Sequence, residues 1–190
     1  MVKNLLFHES IDAMALKIGV SGSSGKASKP ALKKAFELGK EIALKKWILV
    51  TGGCDGIPFA AVLGAKSAGG KTIAVSPAKN KKKHQEKFNY PAKCFDEWIF
   101  CEKGKLERNI AFVRECDVVI FAGGRIGTLN ELAIAVSIGK NIGLLKGCGG
   151  VAENCEKILK IAETFEKEKI VSSHVPAKLV EKIVKKLGKN

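Results

Sequence analysis

The chain has 190 residues, 46% of them hydrophobic, enough for one domain with a full core, and no run approaches the ~18 consecutive apolar residues of a membrane span. Leu5, Leu6 and Phe7 form too short a run for a secretion signal, so a cytoplasmic protein is expected. The net charge of +14 invites a nucleic-acid partner, yet every basic residue except Arg108, Arg114 and Arg125 is lysine, spread along the chain, as heat adaptation alone also produces.

In chain order, KNLLFHESIDAMA reads as a short amphipathic helix packed on the outside, over residues 1–15. LKIGVSG (16–22) is the first strand-length apolar run, followed by the turn SGSSG and a helical pattern from Pro30 to Lys46. KWILVTGG (46–53) is the second, followed by TGGCDG and a helix opened by Pro58 and closed near Gly69. KTIAVSP (71–77) leads into KNKKKHQEK (79–87), which reads as a mobile, solvated loop because no aromatics interleave with its charges for base stacking. DEWIFCE (96–102), the helix KLERNIAFVREC (105–116) and the strand DVVIFAGG (117–124) come next. A helix TLNELAIAVSIGK (128–140), the strand NIGLLKG (141–147), a helix from Val151 to Lys167, the strand KIVSS (169–173) and a last helix from Pro176 complete the chain.

Most of these strands are continuously apolar, as strands buried on both faces are, and they alternate with helices. The reading is a single α/β domain over 1–190: a doubly wound, mainly parallel, Rossmann-like sheet with helices on both faces, binding its ligand outside the carboxyl ends of the strands. SGSSG, TGGCDG, AGGRIG and GCGG all follow strands, so four glycine-rich turns are expected on one rim. The six cysteines include no C-x-x-C pair and read as reduced and structural. The three histidines stand far apart with no carboxylate at ligand spacing, so no metal site is signalled.

Backbone N–H groups at a helix start bind anions, and glycines keep side chains out of the ligand's way. The first turn is not a Walker A loop, which would need glycine at Val20 and a hydroxyl residue at Ala27. No strict G-x-G-x-x-G follows any strand, and the looser GCGGVA follows the sixth strand rather than the first. The three arginines gather around FAGGRIGTLNE (121–131), and arginine is the side chain suited to holding phosphate in a fixed pose.

GGRIGTLNE matches G-G-x-x-G-T-x-x-E, and with GSSG and TGGCDG it resembles the Rossmann-like nucleoside 5′-monophosphate phosphoribohydrolases of the Lonely Guy type, long mislabelled lysine decarboxylases, and their relatives the molybdenum cofactor carrier proteins. LERN followed by AFVRECDVVIFAGGRIGTLNELAIAVSIGKNIGLL looks closer to the carrier branch and its uncharacterised prokaryotic cousins. The resemblance implies catalytic roles for Arg108 and Glu131 and a phosphate cradle of Gly123, Gly124, Gly127 and Thr128. With Arg125 and the turns Gly22, Ser23, Ser24, Gly25 and Gly52, Gly53, Gly56, these are the candidate site residues. The chain departs from the hydrolases at Ala122, Asn109 and Asn130, and by two residues, Arg125 and Ile126, where they have one; these departures touch the hydrolases' catalytic pattern and leave the anion-binding glycines in place.

Two local readings compete with these roles. Thr128 and Glu131 form T-x-x-E at a helix start, the pattern of a capping box, although an ordinary cap needs no glycine loop before it. In KLERNIAFVREC, Leu106, Ile110 and Val113 define a core stripe that leaves Arg108 and Phe112 on the outer face, lining a site or a subunit contact or standing in solvent.

Three functions are therefore in play. One is a module that binds a small phosphorylated ligand, a nucleotide or a molybdopterin-type cofactor, with no cofactor required for activity. The second is an N-glycosidic hydrolase in which Arg108 orients the phosphoribosyl group and Glu131 stabilises the developing cation or activates water. A nucleic-acid protein is a distant third, and the family resemblance also implies a homo-oligomer.

Overall fold

The computed structural model describes residues 15–164 and 166–188. The N-terminal helix expected over 1–15 falls, Ala15 aside, outside the described residues. Seven strands alternate with helices: β1 Lys17–Gly22, α1 Lys29–Leu44, β2 Ile48–Thr51, α2 Ile57–Ser67, β3 Thr72–Ser76, α3 Lys81–Phe88, β4 Glu97–Phe100, α4 Lys105–Glu115, β5 Val118–Ala122, α5 Ile126–Ser137, β6 Asn141–Leu145, α6 Gly150–Ile161, β7 Ile170–Ser173 and α7 Pro176–Leu187. A 3-10 turn, Lys167–Lys169, leads into β7.

All neighbouring strands pair in parallel, in the order β4-β3-β2-β1-β5-β6-β7. Every residue of β2, β3 and β5 is buried, which is why these runs read as continuously apolar rather than alternating. One core layer joins Ile18, Val20 and Ile120 to Leu38 and Ile42 of α1, Ala61 of α2 and Leu179 and Ile183 of α7. The opposite layer joins Val119, Phe121 and Leu144 to Phe112 of α4, Leu132 of α5 and Cys155 of α6. Pro30, Pro58 and Pro176 sit in first helical turns, where the missing N–H costs nothing.

This order positions the site. The chain steps outward from β1 to β4, then returns to lay β5 on the other side of β1. After β1 it crosses to the face of α1, after β5 to the face of α5, so the connections part and leave a crevice above the two carboxyl ends.

Two local expectations are corrected. Residues 79–87 are not a loop: α3 forms there, capped by the Asn80 side chain accepting the Lys83 N–H at 2.9 Å and ended by Asn89 in the left-handed region at φ 53°. Its lysines are exposed, but His84 is buried and anchors the helix. Helix α4 buries Val113 of the expected stripe but not Leu106 or Ile110. Asn109, Phe112 and Val113 face inward, while Leu106 is 66% exposed and Ile110 39%. Hydropathy could not choose the face, because the side turned to the sheet carries polar groups that are satisfied only by tertiary contacts.

Candidate functional site

The crevice is a cleft of about 390 Å³ lined by the carboxyl end of β1, the turn after β2, Pro58 at the start of α2, Tyr90, and the amino-terminal parts of α4 and α5. Its size is in the range of small-molecule sites. Lys105, Arg108 and Arg125 bring three cations to its lining, against the single carboxylate of Glu131.

Hydrogen bonds lace the glycine-rich turns together. Ser23 Oγ accepts the Gly124 N–H at 2.9 Å, and Asp55 Oδ1 accepts the Gly25 N–H at 2.9 Å. Arg125 Nη2 donates to the Ser24 carbonyl at 2.8 Å, and the Ile57 N–H donates to the Ser23 carbonyl at 3.0 Å. From the first turn of α6, the Val151 and Ala152 N–H groups donate to the carbonyls of Gly124 (3.1 Å) and Gly123 (2.9 Å). Gly124 has φ 105°, outside the reach of ordinary side chains, and a Cβ there would collide with Thr128.

Helix α5 starts at Ile126 with Arg125 at its N-cap, and no side chain caps it. The capping-box reading is thereby overturned: Thr128 lies inside the first turn, and Glu131 turns away from the helix start. The first N–H groups of an α-helix have no partner within it, and they carry the positive end of its dipole. Ile126, Gly127 and Thr128 line the cleft at this end.

At the cleft floor Arg108 Nη1 lies 3.3 Å from Glu131 Oε1, the carboxylate buried and the guanidinium largely covered, and the Ser21 hydroxyl donates to Glu131 Oε2. With its amide nitrogen turned to the carboxylate, Asn109 donates to Glu131 Oε1 at 3.0 Å and to the Lys105 carbonyl at 3.1 Å. Burial pushes the Glu131 carboxyl above the usual carboxylate range, and Arg108 and Ser21 pull only part of that shift back. Arg108 therefore lies on the inward side of α4, not on the outer face expected from the apolar pattern, and Phe112 is fully buried beside it. Gly52 makes room for the guanidinium, since a Cβ at that position would overlap Nη1.

Of the candidate residues, Gly22, Ser23, Ser24, Gly52, Arg108, Arg125, Gly127, Thr128 and Glu131 line the cleft. Gly25, Gly53, Gly56, Gly123 and Gly124 stand behind it, shaping the turns. Ser21, Cys54, Tyr90 and Lys105 also line it, and sequence reasoning had not chosen them. A hydroxyl at the end of an otherwise apolar β1 and the chain's single tyrosine were the only signals they gave. Burial raises the Cys54 thiol to about 11, so it is a protonated, inert group at neutral pH. Among the described residues no group of three or more His, Cys, Asp or Glu is placed to hold a metal ion.

An all-parallel doubly wound sheet with a cationic cleft at the point where its strand order reverses defines a Rossmann-like protein. The chain belongs to the SLOG cluster4 family, whose model matches residues 15–180. It is 35% identical over 131 residues to an uncharacterised protein of Archaeoglobus fulgidus, covering 69% of this chain and 80% of that one. Its fold is similar to that of the molybdenum cofactor binding protein from Rippkaea orientalis (TM-score 0.74, 31% identity, 91% of this chain and 97% of that one). It is equally similar to the molybdenum cofactor carrier protein of Chlamydomonas reinhardtii (TM-score 0.74, 28% identity, 92% and 99%). These matches bear out the resemblance to the Lonely Guy and carrier-protein superfamily.

Proposed function

We propose that the cleft binds a phosphorylated, pterin-type or nucleotide ligand without turning it over. The observation that carries this reading is the uncapped start of α5, which opens on the same cleft that Arg125 and Lys105 line. Such an end is complementary to a phosphoryl group in charge, in dipole and in hydrogen-bond donors. The likeness to molybdenum cofactor binding and carrier proteins supports a pterin-type ligand. The donor set fits its phosphate: the amides of Ile126, Gly127 and Thr128 would hold it, with Arg125 among the cleft-lining cations. The Arg108 guanidinium has five N–H donors and gives Glu131 only a share of them, leaving capacity to orient the rest of the ligand.

Hydrolysis of an N-glycosidic bond is the alternative, favoured by the presence of Arg108 and Glu131 in the same cleft. Against it, both Glu131 oxygens are engaged by Ser21, Arg108 and Asn109, and no second carboxylate among the lining residues is at hand to protonate a leaving base.

The test is thermal unfolding with molybdopterin, GMP, AMP, CMP and UMP, with free base assayed in parallel. At ~100 times Kd, a bound ligand raises Tm by about 5–10 °C, and Arg125→Ala diminishes the shift. Release of free base establishes the hydrolase instead. No shift with any of the five rejects the phosphate-site reading.

A further inference from the structure

His84 is the one buried residue of α3, and both of its ring nitrogens are in use. Nε2 lies 3.1 Å from the Gly53 carbonyl, and Nδ1 lies 2.8 Å from Ser76 Oγ, which accepts the Ala78 N–H at 3.0 Å. A carbonyl only accepts, so the ring hydrogen is on Nε2, and Nδ1 accepts the Ser76 hydroxyl. A neutral ring meets both demands, and burial disfavours its charged form.

The carbonyl it holds belongs to the turn that supports Arg108. Gly53 has φ 68°, its N–H donates to Thr51 Oγ1 at 3.2 Å, and the guanidinium packs directly on the preceding Gly52. A displacement of this turn removes the surface against which Arg108 is held towards Glu131.

We propose that His84 is a positioning residue of the cleft: its Nε2–H···O=C bond to Gly53 keeps the Gly52–Gly53 turn where Arg108 needs it to face a ligand. The effect on affinity rests on the ligand-binding reading above, but the clamp itself can be measured without a ligand. The competing explanation is ring packing, since the imidazole also meets Trp98 edge-on at 4.9 Å and Tyr90 at 5.5 Å. Two substitutions separate these. His84→Gln keeps an N–H donor at the ε position, and His84→Phe keeps the ring.

Cys54 follows Gly53 and is buried, so its alkylation, mapped by mass spectrometry in the whole protein, reports the opening of the turn. We expect H84F to raise the Cys54 labelling rate about tenfold and H84Q to stay within about twofold of wild type. The buried Cys116 and Cys155 serve as controls for general unfolding, and if H84F exposes them too, His84→Leu takes its place. GMP titration should show the same order, with affinity about tenfold weaker in H84F and close to wild type in H84Q. Protection of Cys54 in H84F with exposure in H84Q, or protection in both, overturns the proposal. If Cys54 labelling follows the expectation while GMP binds none of the proteins, the clamp stands and the nucleotide reading of the cleft fails.

Discussion

The Arg108–Glu131 pair links α4 to α5 at the floor of the cleft and is nearly out of water on both sides. Removing two charges from water costs more than a surface pair can return, so such a pair holds only when its other lone pairs and hydrogens are satisfied. Ser21 and Asn109 satisfy the carboxylate here. Glu131→Leu alone leaves a largely covered guanidinium without its partner, and a urea melt should show a loss of about 3 kcal/mol. Arg108→Met in the Glu131→Leu background should recover part of that loss, giving a coupling energy of about 1–3 kcal/mol. Additive losses would mean that water separates the two side chains.

Helix α5 carries a conflict between stability and binding. Gly127 sits in its first turn, has no positive φ, and nothing lies within 4 Å of where its Cβ would stand. Packing and backbone strain therefore give no reason for glycine, which costs a helix about 0.5–1 kcal/mol relative to alanine. Bare backbone over the unpaired amides gives one. Gly127→Ala should raise thermal stability while the added methyl group on this cleft-lining turn weakens binding of a phosphorylated ligand in a calorimetric titration. Unchanged affinity would show that the ligand does not approach this turn. Helix α3 makes the converse point: its lysines bring little packing, and a cap with one buried imidazole gives it a place in the fold.

Across the whole molecule, two buried groups set opposing slopes of stability with pH. Burial holds His84 below its ordinary value, so the unfolded chain takes up its proton first: the contribution is complete above ~6.5 and is lost as pH falls through the folded value. Glu131 is shifted upward, so its contribution is complete below ~4.3 and is lost as pH rises through the folded value. With a net charge of +14, self-repulsion adds to the acid-side loss as carboxylates are protonated. Tm should therefore fall as pH drops below ~6.5, by at most about 1.4 kcal/mol of stability per pH unit from His84. The fall should be shallower in His84→Gln, and identical slopes would show that His84 is solvated in the native protein.

The elements and their order were legible in the sequence because the signals are local: continuous apolar runs, prolines at helix starts, glycines after strands. The same signals put four glycine-rich turns at strand ends, and the strand order brings them to one rim. The α4 face, the job of α3 and the partners of Glu131 were not legible. Ser21 and Glu131 stand 110 residues apart in sequence and meet only because β5 returns to lie beside β1. Leu106 and Ile110 made the stronger apolar stripe, yet Arg108 and Asn109 turn inward because Glu131 waits for them there. Short-range chemistry thus determined what each segment becomes, and strand order decided which polar side chains are buried together, since a buried charge is tolerable only opposite a partner that the fold alone can supply.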